Sequence, residues 1–225
     1  GIPAEPLFRS AWLGSGDTQL AAGSVAASGG LKVGASADGR IGNYALSVAL
    51  TAPPAPSTQP AAQSREGTGS FGINVSGSAA VNTLDNLVRA RITDNLDIDA
   101  GAVNVQASDD TALHAIAGGA AVSSNTGNGV GLAGAYTQNT VDSLVEAELA
   151  ATGDVTARRL DIAADNEASA LSISAGVSAS ASASSYQVAG SVSVNSIDST
   201  TRARLADGAI DAVDGEARAS GAVES

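Results

Sequence analysis

Val81-Asn82-Thr83-Leu84-Asp85-Asn86-Leu87-Val88-Arg89-Ala90-Arg91-Ile92 returns without a gap as Gln138-Asn139-Thr140-Val141-Asp142-Ser143-Leu144-Val145-Glu146-Ala147-Glu148-Leu149, and again as Val194-Asn195-Ser196-Ile197-Asp198-Ser199-Thr200-Thr201-Arg202-Ala203-Arg204-Leu205. The steps are 57 and 56 residues. Self-similarity at a fixed period is the mark of a stacked array, in which each repeat buries a face it cannot bury alone.

The pattern extends on both sides of that block. Five residues before each asparagine stands a glycine, Gly77, Gly134 and Gly190, and downstream Val103-Asn104-Val105 matches Leu160-Asp161-Ile162. Residues 31–92, 93–149 and 150–205 are read as three repeats, 1–30 as a degenerate first coil and 206–225 as the start of another. The whole is expected to be one body and a piece of a longer protein. Residues 52–66, which contain four of the six prolines, are expected to form an inserted surface loop.

Within the block the period is two. Leu84, Asn86, Val88, Ala90 and Ile92 alternate with Asp85, Leu87, Arg89 and Arg91, and the other two copies keep the phase. Such alternation predicts a strand with an inward and an outward face. Around Ile173 to Ser184 the alternation becomes Ala/Ser, which suits sheets that approach closely, and its phase flips after Ser185, which predicts a corner there. Asp/Asn/Gly clusters such as Thr93-Asp94-Asn95 and Asp99-Ala100-Gly101 supply further corners. The predicted fold is all-β, a β-solenoid of repeats about 57 residues long.

Composition narrows the function. Apolar residues make up 44% of the chain but aromatics only 3%, so a wide globular core has little to fill it. A net charge of −12, with 11 basic residues against 23 acidic ones, leaves nothing to neutralise a run of phosphates, and nucleic acid is excluded as a partner. No uninterrupted apolar run of about 18 residues predicts a membrane-spanning helix. Cysteine is absent, consistent with an extracellular protein that relies on repetition rather than disulfides.

Gly77 to Ile92, a Gly-x-x-x-x-Asn followed by an alternating Ala/Val/Thr strand and written three times, resembles the large secreted bacterial surface proteins of the filamentous haemagglutinin type. Asp154-Val155-Thr156-Ala157 is similar to the short strands of their coils. The resemblance implies a right-handed parallel β-helix stalk, exported to the extracellular space or the bacterial cell surface, with no catalytic residue in it. It also implies a host or neighbouring-cell receptor, glycan or protein, as the partner. Their common coil is near a third of this period, so either three coils make one repeat or the cross-section here is wider.

Candidate chemistry is sparse. His114, the one histidine, reads as a strand residue in register with Leu171, since a catalytic triad or zinc site would rest on it alone. Gly127-Asn128-Gly129 resembles a phosphate loop without the helix that would follow one. Asp109-Asp110 reads as a solvated corner rather than an acid/base pair. Phe8, Trp12, Tyr44 and Phe71 would confine any sugar-binding surface to the N-terminal third.

The aligned residues carry more. Asn82, Asn139 and Asn195 are expected to form a ladder beside a row of Asp85, Asp142 and Asp198, which reads first as a solvated corner; were a cation to bridge the row, calcium would be the fitting one, and no other cofactor is expected. Arg89, Glu146 and Arg202 share one slot, and Arg91, Glu148 and Arg204 the slot two residues on. Direct stacking would place each glutamate between arginines. Three functions fit: a structural or adhesive stalk, a filament self-associating through its end coils, or a polysaccharide-binding or polysaccharide-degrading β-helix.

Overall fold

The computed structural model describes residues 7–13, 23–51, 72–123, 129–181, 185–206 and 210–223. Period-two alternation runs through nearly all of them, and the described chain folds as nine strands without a helix. β1 (Leu7–Leu13), β3 (Gly72–Asp94), β5 (Gly129–Ala151) and β8 (Ser185–Leu205) lie side by side in that order as sheet I. β2 (Gly23–Thr51), β4 (Leu96–Ser123), β6 (Val155–Asn166) and β9 (Ile210–Val223) make sheet II, where β7 (Ser169–Ser180) continues the line of β6 along β4.

All seven pairings are parallel. The chain alternates between the sheets, and each strand lies on the strand laid down in the same sheet one repeat earlier. Gly77, Gly134 and Gly190 fall in register, as do Asn82, Asn139 and Asn195. One repeat is therefore a single wide pass through both sheets, not three narrow coils. The first pass is longer: Leu46 to Asn82 covers 36 residues where its register partners Gly118 to Asn139 cover 21. The proline-rich residues 52–66 in this extra length lie outside the described residues, as does Ser184 of the corner expected at Ser184-Ser185, while Ser185 opens β8.

Each pass has two unlike halves. In one, Val88, Ala90 and Ile92 of β3, Val103, Val105 and Ala107 of β4, and their partners in β5 and β6 make a continuous buried core. The opposite faces there carry Asp85, Asp97, Asp99 and Asp142, all exposed. In the other half the arrangement turns inside out. Asn74, Ser76, Asn82, Thr137, Asn139 and Ser123 are buried between the sheets, while Leu46, Ile73, Val75, Ile173, Val188 and Val192 stand on the outside. This half holds no Asp, Glu, Lys or Arg from Thr111 to Val141 or from Ala168 to Ile197.

The inversion has a steric cause. Side chains between the sheets shrink from Val, Leu and Ile in the charged half to Ala, Ser and Gly in the other, so the sheets converge. At the narrowest level Gly119 faces Gly134, where a Cβ would run into the Gly134 carbonyl oxygen. One pass on, a Cβ on Gly176 would stand 2.6 Å from the Gly190 oxygen. Only glycine permits sheets this close. With no room inside for large apolar groups, they are displaced to the outer faces.

The predicted corner at Thr93-Asp94-Asn95 is present between β3 and β4, and Asp94 adopts φ 78°, a left-handed conformation that Asp tolerates better than most residues. Asp99-Ala100-Gly101, expected as a corner, instead lies within β4 at a place where the register slips. There, Ala27 to Gly30 in β2 pairs with Ala100 to Ala102 in β4, and Ala157 to Arg159 pairs with Ala212 to Glu216 in β9.

Candidate functional site

The conserved slots of the repeat become rows that run across the strands. Asn82, Asn139 and Asn195 point between the sheets, and Asn82 and Asn139 are buried. Asn82 Nδ2 donates to Asn139 Oδ1 at 2.9 Å and Asn139 Nδ2 to Asn195 Oδ1 at 3.1 Å, so the amides form a chain from pass to pass. The same amides also bind the facing sheet. Asn82 donates to the His114 carbonyl at 3.0 Å, Asn139 to that of Leu171 at 2.9 Å and Asn195 to that of Ala170 at 3.2 Å. A side chain with donor and acceptor on one planar group is what this position requires, because it must satisfy the next pass and the opposite sheet together.

Two residues toward the charged half, the inward row contains Leu84, Val141 and the partly buried Ile197, and then Asn86, Ser143 and the partly buried Ser199. Here the structure corrects the reading of Asp109-Asp110 as a solvated corner. Both lie within β4 on opposite faces; Asp110 is exposed, while Asp109 is 1% exposed. Asp109 accepts hydrogen bonds from Thr111 Oγ1 at 2.5 Å and Ser143 Oγ at 2.6 Å. Asn166 Nδ2 donates to Ser143 Oγ at 3.2 Å, and Asn86 Nδ2 reaches Thr111 Oγ1 at 3.4 Å. This network sits where the large-residue core gives way to the narrow polar interior. Among the described residues no basic side chain enters it, and the side-chain donors to the carboxylate are hydroxyls.

The charge rows lie on the outer face of sheet I. Arg89, Glu146 and Arg202 are register partners, as are Arg91, Glu148 and Arg204. Arg89 Nε is 3.0 Å and Arg91 Nη2 2.8 Å from Glu146 Oε2, while Glu148 is approached by Arg91 Nε at 3.1 Å and by Arg204 Nη1 at 3.7 Å. Glu148 thus lies between arginines of both neighbouring passes, whereas Glu146 draws both of its partners from the preceding one. The two glutamates are 6% and 8% exposed. Burial to this degree raises the cost of removing an arginine above that of an open surface pair.

Asp85, Asp142 and Asp198 are likewise register partners, exposed on the same face. Among the described residues no group of three or more His, Cys, Asp and Glu gathers closely enough to hold a metal ion. His114 pairs in register with Leu171 within its sheet. Tyr44 stands on the outside of sheet II and Tyr136 and Tyr186 on sheet I, where Tyr186 pairs with Val130, six residues along the strand from Tyr136, so these tyrosines form no shared sugar platform. Phe71 lies outside the described residues.

A groove of about 670 Å³ opens at the register slip in sheet II, lined by Ser28, Asp99, Gly101, Thr156 and Arg158. Its lining holds one carboxylate and one guanidinium, and among the described residues no histidine lies beside its hydroxyls. Among the described residues no helix is long and apolar enough to cross a membrane. Comparison with protein-family models, curated proteins and solved structures finds no match for this chain.

Proposed function

We propose that the chain is a structural segment of an exported bacterial surface protein, a right-handed β-solenoid that spaces and stiffens what it carries and mediates attachment of the cell through the parts it presents. The carrying observation is the unbroken register of Gly72–Asp94 on Gly129–Ala151 and of that strand on Ser185–Leu205. Each repeat is a complete layer on the previous one, and layers of this kind add in one direction. Right-handedness follows from the general preference of crossovers between parallel strands.

The geometry favours stiffness over reach. A layer adds about 4.8 Å along the stack, and here it uses 57 residues to do so. A narrow coil would gain the same length with far fewer residues, but resistance to bending rises steeply with the width of a rod. Ladders that cross both between passes and between sheets act in the same sense.

Deleting whole repeats from the parent protein in the producing cell tests this reading. The expected result is a surface projection shortened by about 5 Å per repeat, with weaker attachment at long range and unchanged binding at contact. Polysaccharide turnover by the purified segment, lost on Asp109→Asn, would overturn it.

A further inference from the structure

The outer faces of the charge-free half are apolar on both sheets, and parallel sheets are found almost only with both faces covered. The two faces differ in one respect. On sheet I, Gly77, Gly134 and Gly190 form an uninterrupted row, and a Cβ on any of them would meet nothing within 4 Å. On sheet II the corresponding depression is filled from within, because Leu46 leans over Gly118 with its Cδ2 2.8 Å from where a Cβ would stand. Sheet I thus carries an open furrow. Beside it, two residues along each strand, runs a ridge of Val75, Leu132 and Val188, which are 64%, 39% and 60% exposed.

We propose that this face of sheet I, over residues 73–81, 130–138 and 186–194, is a self-complementary interface that takes a second copy of this chain. Ridge and furrow are parallel, adjacent and alternate-residue neighbours about 7 Å apart. A two-fold axis lying in the interface, parallel to the rows and midway between them, places the ridge of each copy in the furrow of the other. β5 then lies over β5, with Leu132 of one copy against Gly134 of the other.

The area is sufficient for association. Three strands about 4.8 Å apart and nine residues long present roughly 400 Å² in projection per copy, and corrugation by Val, Leu and Tyr brings the total for two copies to the order of 1,000 Å² that separates a specific interface from a chance one. The absence of any Asp, Glu, Lys or Arg from Thr111 to Val141 and from Ala168 to Ile197 removes the charge that would oppose it. A lipid bilayer, the alternative cover, has no fixed relief for the ridge and furrow to fit.

Sedimentation velocity of the intact chain from 1 to 100 µM, on the order of concentrations where such areas associate, tests the proposal. The expected outcome is a monomer–dimer equilibrium that Leu132→Glu and Gly134→Leu each weaken at least tenfold, while Leu46→Glu on sheet II leaves it unchanged. Circular dichroism checks that each variant folds, and Val188→Thr, which changes only the polarity of the ridge, gives a smaller shift in the same direction should either of the others misfold. Flotation with phosphatidylcholine vesicles supplies the lipid arm, and the expected chain stays with the protein fraction. A monomer at every concentration, a dimer indifferent to all three sheet I variants, or a monomer that floats with the vesicles would overturn it.

Discussion

The two halves of each pass use the same backbone ladder and opposite side-chain rules. In the charged half Ile92, Val105, Leu149 and Ile162 are enclosed and the acidic residues face water, as in any soluble sheet protein. In the other half the enclosed residues are small or amidic and the exposed ones apolar. The contrast teaches that alternation specifies a strand without specifying which alternate set goes inside. That choice follows from the space between the sheets, which the narrow contact of Gly119 with Gly134 sets.

The sharpest way to break the contrast is to place the same side chain on either surface of the thin half. Gly119→Val is expected to cost about 4 kcal/mol or to prevent folding, because backbone on both sides cannot yield to an overpacked residue. Gly134→Val, aimed at open space, is expected to change stability by less than about 0.5 kcal/mol. Urea unfolding of the two variants reads the difference, and equal losses would remove the steric account of the inversion.

Truncation in the thick half comes next. Ile162→Ala is expected to cost about 3 kcal/mol by the transfer and cavity terms, since Ile162 is 1% exposed. Val192→Ala on the outer face of the thin half is expected to cost under about 0.5 kcal/mol in the monomer. Thermal unfolding at low concentration, where no second copy contributes, separates the two.

A third variant sharpens what the thin half has in place of a core. Asn139→Ala removes donors to Asn195 and Leu171 and the acceptor for Asn82. The expected cost is about 2 kcal/mol, because buried partners are left unsatisfied. Asn139→Leu would be as stable as the wild type if the interior tolerated apolar bulk, and a loss larger than that of Asn139→Ala is expected instead.

Smaller effects lie on the charged face. Replacing Glu146 and Glu148 together by Arg leaves three cations in each row, and a loss of about 1–2 kcal/mol at low salt, shrinking as salt is added, is expected. Unchanged melting at low salt would mean that the ion pairs do not help to set register. Smallest of all, Asp94→Gly should stabilise by up to about 0.5 kcal/mol through relief of the left-handed backbone, and this is read as a shift of the urea midpoint.

Much of the architecture could be read from three copies of one block. The step of 57 residues defined register, because parallel strands built from equal repeats place like residues side by side. Phase within the block also transferred correctly: Leu84, Val88 and Ile92 are enclosed, as alternation implied. The thin half was less legible. Its Ala/Ser alternation suggested close sheets, but period two alone cannot tell that Leu171 and Ile173 would be outside. The signal that could have shown it is the long stretch without charge, since a strand with a wet outer face normally carries some.

Asp109 was misread for a related reason. A doubled aspartate looks like a surface turn, yet in a strand its two members must face opposite ways. What marks Asp109 as interior is the repeat itself: its register partners are Ala37 and Asn166, whereas Asp110 is partnered by Asp38. The polar network around it could not be foreseen, because Ser143 and Thr111 come from different sheets. The amide ladder was foreseen along the stack, while its second function, binding the facing sheet, depends on the distance between sheets.

The register slip in sheet II bears on how the molecule tolerates change. Between Ala27 and Gly30, Ala100 and Ala102, Ala157 and Arg159, and Ala212 and Glu216, the successive strands place two, one, one and three residues, yet pairing resumes on the far side each time. The site behaves as an expansion joint. Foreign peptides grafted there, for display or labelling, should leave both ladders aligned, whereas the same insertion two strand residues away would throw every following side chain onto the wrong face.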